Sequence, residues 1–470
     1  MSRARLMPPK KFIRPELATL GAIVILAAVF RYWQINEYPR ALHLDEAISG
    51  LVAQDILRGK LPDLLVYDGN EPMIFYIMAV PLYFFGPTPG ALRVATESIS
   101  LALVVSVYLL TRELFDRKIG LLTTFICAIN VWGIYHGRLA TRSILVPVVL
   151  SLAVYFAIVA WRKGHLRYWI LTGIIFGAVF YTYTSSVFVL PALLLTLVGL
   201  IIFDRREVFR HKWKILLTAA IILLVGLPMW MYQATHTVVS AARPTQLTVF
   251  YSGQSLPELI NTIFVQAFLV ARMFFIKADA NIRHNIPSRP VFDVLLAIPF
   301  LIGVVSGGLQ KKYRGAAALC FVWLLVWLVP SFLSKDAPHF LRSSGALAFI
   351  FIFPALGLTW LRHTMLTRLT KATSVALVAA LIGGSTLITA HDYIFSGFLS
   401  SQVLYEEFFG NDSKSILELN QKMNSGWVGD NLIALPKPAN PPSIEANKLP
   451  QPYAQYLIPW LYDPDKLRQY

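Results

Sequence analysis

The sequence predicts an all-α polytopic membrane protein of about eleven transmembrane helices, with two further helices lying at the membrane surface in its first outer loop. Three observations lead there. The 470 residues are 56% hydrophobic and only 14% charged, where a soluble chain carries about 25% charged residues. The apolar residues fall in runs of membrane-spanning length. The Lys and Arg residues collect in every second loop between those runs, the bias that orients spans with their basic loops in the cytoplasm. The net charge of +16 follows from those loops and gives no ground for a nucleic-acid partner. Cys127 and Cys320 both sit in apolar runs, so neither a disulfide framework nor a thiolate metal site is expected.

In order, the first span is Leu17–Trp33. It follows Arg3, Arg5, Lys10, Lys11 and Arg14. A basic start and an apolar centre resemble a signal peptide, but no small-x-small cleavage site follows. An uncleaved anchor with a cytoplasmic N-terminus is expected. Next come Leu92–Leu110, Ile119–Tyr135, Ile144–Trp161, Tyr168–Thr182, Val187–Phe203 and Ile215–Tyr232. Phe292–Val305, Ala316–Phe332, Gly345–Leu361 and Ser374–Ala390 complete the set. The loops around Arg112, Arg162, Arg205, Lys311 and Arg362 hold three to five Lys or Arg each, while the short loops between them hold four, Arg138, Arg142, Lys335 and Arg342.

That alternation works only if the chain crosses once between residue 46 and Arg112. Met73–Phe85 is therefore no span: it is thirteen residues long, contains Pro81 and ends in Gly86-Pro87-Thr88-Pro89-Gly90. It reads as a helix on the outer surface, as does Ala47–Leu57 with its apolar residues near helical spacing. The outer face then carries Gln34–Ala91, Gln233–Val291 and the C-terminal segment. Residues 1–390 form one transmembrane domain, and 391–470, with its Pro-rich stretch, a small extracytoplasmic appendage. No internal repeat and no phosphate-binding glycine loop is present.

Several outer-face clusters carry candidate chemistry. Asp45-Glu46 stands just ahead of the first surface helix, where paired carboxylates can accept a proton, hold a metal or cap the helix. Asp68-Gly69-Asn70-Glu71-Pro72 is a polar turn before the second; Asp68 and Glu71 suit sugar hydroxyls, or a plain turn and cap. Arg138 and Arg142 are four apart and would share a face if the segment is helical. Together with Lys335, His339 and Arg342 in a later hairpin, they suit an anion, since guanidinium holds phosphate through paired hydrogen bonds; snorkelling to lipid headgroups is the alternative. Asp279, Asn281, Arg283, His284 and Asn285 form a polar island in the second long loop. Tyr183, in Tyr181-Thr182-Tyr183-Thr184, can stack on a sugar or belong to an interfacial belt.

Taken together, Leu44-Asp45-Glu46-Ala47, Glu71-Pro72, Gly86…Arg93, Gly137-Arg138…Arg142, Asn281…Arg283-His284-Asn285 and Ala337-Pro338-His339…Leu341-Arg342 resemble the GT-C class of polytopic glycosyltransferases. The nearest likeness is to protein O-mannosyltransferases (glycosyltransferase family 39-like) and aminoarabinose transferases of lipid A. The chain has no segment suited to the β-trefoil of the former, and Asn70-Glu71-Pro72 replaces the Lys-Pro-Pro of the latter, so neither acceptor carries over. The resemblance implies a polyprenyl-phosphate-linked hexose or pentose donor and inversion at the anomeric carbon. It makes Asp45 a general base with Glu46 orienting it. Arg138, Arg142, Arg283, His339 and Arg342 are then candidates for the donor phosphate, and Asp68, Glu71, His284 and Tyr183 for sugar or acceptor. It points to the branch without a metal, leaving no cofactor expected and a divalent ion as the open alternative. The acceptor is a protein, lipid or glycan hydroxyl, reached from the extracytoplasmic face of a prokaryotic inner membrane. A transporter or flippase of lipid-linked sugars is the competing expectation; repeated halves and acids within the central spans would mark it, and the sequence reads as having neither.

Overall fold

The structure is a computed structural model and describes residues 12–36, 44–61, 70–236, 248–250, 255–281, 284–365 and 370–398. Asp68, Arg283 and nearly all of the 391–470 segment lie outside them. The described residues form helices α1 (Arg14–Tyr32), α2 (Leu44–Leu57), α3 (Met73–Phe85), α4 (Pro89–Leu114), α5 (Arg117–Ile129), α6 (Val131–Arg138), α7 (Leu145–Lys163) and α8 (Leu166–Ala178). Beyond these come α9 (Val189–Thr235), α10 (Leu256–Arg272), α11 (Val294–Leu309), α12 (Arg314–Phe332), α13 (Ile352–Met365) and α14 (Lys371–His391). Among the described residues, pairing between extended segments is limited to an isolated bridge between Thr248 and Ser334.

Among the described residues, seven helical segments are long and apolar enough to cross a membrane, or eight if the α5–α6 pair, bent by 53°, is one span. The predicted count of eleven is not reached by length and composition. Two predicted spans fall within the 47-residue α9, which is two helices meeting at a kink at Asp204 (φ −146°, ψ 43°). Two others correspond to Leu166–Tyr181 and Val294–Leu309, which fall short of the length of a span.

The two surface helices are present. α3 matches its predicted bounds, burying Ile74, Phe75, Met78 and Leu82 while exposing Tyr76, Val80, Tyr83, Phe84 and Phe85. α2 starts earlier than predicted, at Leu44. Asp45 and Glu46 thus occupy its first turn rather than the loop before it, where the partial positive charge of the free amides favours carboxylates.

Charge separates the two ends of the bundle. At one end Glu16 accepts from Arg112 Nε at 2.5 Å and from the Tyr108 hydroxyl. There Asp116 caps α5 through the amides of Lys118 and Ile119 and meets the Tyr313 hydroxyl at 2.8 Å and Lys312 at 3.5 Å. Arg162 pairs with Glu113 at 2.7 Å, and Lys214 donates to the Gly164 carbonyl at 2.6 Å. The loops predicted to be basic therefore touch one another. In the apolar middle, α11 and α13 cross at glycines: a Cβ on Gly303 would lie 1.7 Å from the Phe353 carbonyl oxygen, and one on Gly357 1.8 Å from that of Pro299. Close backbone approach of this kind is how helices pack where lipid removes the hydrophobic drive.

Candidate active site

The opposite end gathers the predicted outer-face clusters. Asn130 begins α6, accepting from the Trp132 amide at 3.0 Å. Its Nδ2 donates to the Val291 carbonyl at 2.8 Å, tying α6 to the 278–292 segment. Trp132 stacks on Phe340 with ring centroids 4.3 Å apart, bringing in the 334–343 hairpin.

Glu71 is 3% exposed and joins three stretches of chain. Its Oε2 accepts from Arg142 Nε at 2.7 Å, and its Oε1 from the Thr184 hydroxyl at 2.9 Å. The Arg142 guanidinium lies 5.1 Å from the centre of the Tyr183 ring. Two expected sugar or acceptor residues, Glu71 and Tyr183, and one expected phosphate residue, Arg142, are thus a single cluster. Glu46 and Arg93 form a second, fully buried pair, Oε1 to Nε 3.6 Å. Arg93 also donates to the Ile35 carbonyl at 3.4 Å, so α2 and the end of α1 share a partner on α4. Asp45, beside Glu46, is exposed, and its carbonyl accepts from the Ser49 hydroxyl at 2.6 Å.

Arg138 and Arg142 diverge. α6 stops at Arg138 because Leu139 leaves helical geometry (φ −94°, ψ 88°), so the four-residue spacing no longer sets one face. Arg138 is 1% exposed. It donates to the carbonyls of Arg31 at 2.8 Å, Trp33, and Gln34 at 3.1 Å, closing the C-terminal end of α1.

The third group joins the 278–292 segment to the hairpin. Asp279 Oδ1 accepts from the Asn281 amide and Oδ2 from the Phe340 amide, both at 2.8 Å. His284 Nδ1 lies 3.0 Å from Asp279 Oδ2, and the His284 and His339 rings are 4.6 Å apart. Arg342 donates to the Ser334 hydroxyl.

Sequence reasoning missed the charges inside the spans. Arg31 is fully buried, donating to Ser100 Oγ at 2.9 Å and to the Ala128 carbonyl at 3.0 Å. Glu97, fully buried in α4, corrects the expectation that the spans lack acids. Gly137 packs directly on it: a Cβ there would sit 2.5 Å from Glu97 Oε2. An acid inside an apolar run was the available signal.

An all-helical membrane bundle with two short surface helices in its first loop, and buried Arg–carboxylate pairs reaching into that loop, is the fold of GT-C glycosyltransferases. Over residues 69–232 the chain matches the model of the dolichyl-phosphate-mannose-protein mannosyltransferase family. It is structurally similar to the oligosaccharyltransferase of Archaeoglobus fulgidus in its apo form, at 14% identity and TM-score 0.55, covering 80% of this chain and 55% of that one. A second structure of the Archaeoglobus enzyme, AglB in complex with an inhibitory peptide and a dolichol-phosphate, gives 14% identity and TM-score 0.53 over 88% of this chain and 58% of that one. ArnT from Cupriavidus metallidurans in the apo state gives 12% identity and TM-score 0.53, covering 88% and 82%; its undecaprenyl phosphate-bound form gives 13% identity and TM-score 0.50, covering 88% and 81%. This chain spans little more than half the length of the archaeal enzyme. No curated protein matches the sequence.

Proposed function

We propose that the protein is a membrane glycosyltransferase that moves a hexose or pentose from a polyprenyl-phosphate donor to an acceptor hydroxyl, with inversion. The observation that carries the proposal is the Glu71–Arg142–Thr184 cluster, assembled from three distant segments at the same end of the bundle as the helix bearing Asp45. The relatives add weight: one was captured with dolichol-phosphate and another with undecaprenyl phosphate. The active end faces the extracytoplasmic side of a prokaryotic inner membrane, and the end gathering Arg112, Arg162 and Lys312 faces the cytoplasm.

In this mechanism the exposed Asp45 carboxylate takes the proton of the acceptor hydroxyl. The freed oxygen bonds to the anomeric carbon, the bond from that carbon to the phosphate oxygen breaks, and the lipid phosphate leaves with the electron pair. Arg142, aimed by Glu71, offsets the charge growing on that oxygen, with Arg342 as second cation. Preorganised donors are often the largest catalytic term, each contributing about 2.7–4 kcal/mol. Glu46, locked to Arg93, fixes the start of α2 and so the position of Asp45. Arg138 holds the end of α1 in place rather than touching donor.

The test is transfer of labelled sugar from a polyprenyl-phosphate donor by the purified protein in liposomes. Asp45→Asn should abolish transfer while leaving the melting temperature nearly unchanged. Full transfer by that variant overturns the proposal, and so does a wild-type protein that moves the donor across the bilayer without transferring its sugar.

A further inference from the structure

We propose that Asp279, His284 and His339 bind a divalent first-row transition-metal ion, zinc matching best, and that the ion clamps the 278–292 segment to the 334–343 hairpin.

The ligand atoms of these three side chains all lie within 4.8 Å of one another, and Asp279 and His284 are buried. Zinc bonds of about 2.0–2.2 Å to nitrogen and oxygen place two ligands of a tetrahedral ion roughly 3.3 Å apart. The 3.0 Å between His284 Nδ1 and Asp279 Oδ2 is already close to that spacing. A modest turn of the His339 ring, packed 4.6 Å from that of His284, closes the set. Two imidazoles and one carboxylate suit zinc, whereas magnesium and calcium call for oxygen donors throughout.

The surroundings hold the ligands in place, as a metal site requires. Both Asp279 oxygens are oriented by backbone amides, those of Asn281 and Phe340. The Asp279 carbonyl accepts from Asn285 Nδ2 at 3.1 Å and from the Ser288 amide at 3.0 Å. The hairpin side is fixed where the His339 amide donates to Ser331 Oγ at 2.8 Å. His136 lies within electrostatic range of His284, while on the two joined segments Arg289 is paired with Asp392 at 2.8 Å and Arg342 donates to the Ser334 hydroxyl. A divalent ion ligated by all three would take the place of the single Asp279–His284 hydrogen bond.

The clamp does not depend on which reaction the protein performs, so it can fail while the transferase proposal stands, and the reverse. The full-length protein in detergent would be stripped with EDTA and titrated with zinc alone. Expected are binding of about one zinc per chain, a melting temperature that rises with zinc and falls again on chelation, and loss of both responses in His339→Asn. A second variant, His284→Gln, guards against misfolding of the first. The proposal is overturned if the stripped protein takes up no stoichiometric zinc. It is equally overturned if both variants bind zinc and respond to it like wild type, which would place the metal elsewhere. A wild-type protein whose melting temperature ignores zinc leaves Asp279 and His284 as an ordinary hydrogen-bonded pair, and also refutes the clamp.

Discussion

Arg142 Nε and Glu71 Oε2 lie 2.7 Å apart, although 71 residues separate them in sequence. Arg142 belongs to the hairpin after α6, Glu71 to the turn before α3, and Thr184 completes the carboxylate's shell from a third segment. A guanidinium aimed in this way is set before any substrate arrives. Arg142→Lys keeps the charge but loses the planar fork. It should lower kcat by roughly 10²–10³-fold, the scale for removing one preorganised donor, with little change in melting temperature. Unaltered kcat in a liposome transfer assay would remove Arg142 from the chemistry.

Arg138 should behave differently. Its partners are the carbonyls of Arg31, Trp33 and Gln34 at the exit of α1. Hydrogen bonds from a charged donor are each worth about 1.5–3 kcal/mol. Arg138→Gln should therefore lower the melting temperature clearly, while donor KM in the folded fraction moves little. A large rise in donor KM at constant stability would instead return Arg138 to the phosphate.

The α11–α13 crossing gives a packing prediction. Gly303→Ala and Gly357→Ala each force a methyl into a backbone carbonyl. Overpacking costs typically about 1–3 kcal/mol, and backbone on the receiving side cannot rotate away. Both variants should melt earlier in detergent. Gly199→Ala and Gly308→Ala, with nothing within 4 Å of the added carbon, should match wild type.

Asp116 gives a pH prediction at the other end. Burial pushes its carboxyl up, but the amide of Ile119, the Tyr313 hydroxyl and Lys312 outweigh that and hold it below the usual carboxylate range. A depressed carboxyl contributes stability above its unfolded value of about 4, and that contribution is lost as pH falls through the folded value. The gap in melting temperature between wild type and Asp116→Asn should thus be full near neutrality and close below about pH 4. A gap that stays constant in acid would assign the difference to lost packing.

Much of the layout is legible in the sequence because it rests on local signals. Met73–Phe85 is too short to span and flanked by Pro and Gly, and it is a separate short helix with those bounds. The alternation of basic loops predicts that Arg112, Arg162 and Lys312 share an end, and their contacts do so. What the sequence hides depends on where helices stop and on pairing at a distance. Spacing alone puts Arg138 and Arg142 together, and the break at Leu139 parts them. Glu97 and Arg31 lie in runs so apolar that a single charge does not disturb the pattern, and their neighbours on other spans become visible only in three dimensions. The two predicted spans on either side of Asp204 follow one another directly, meeting at a kink there.

The closure of α1 by Arg138 also bears on how the protein is made. The three carbonyls of Arg31, Trp33 and Gln34 that accept from Arg138 belong to residues translated more than a hundred positions earlier. α1 and the carbonyls that follow it are synthesised well before the arginine that engages them. The arginine can therefore seal the end of α1 before the downstream helices exist. The order of synthesis thus permits α1 and α6 to be joined early, ahead of every helix that follows them in the chain.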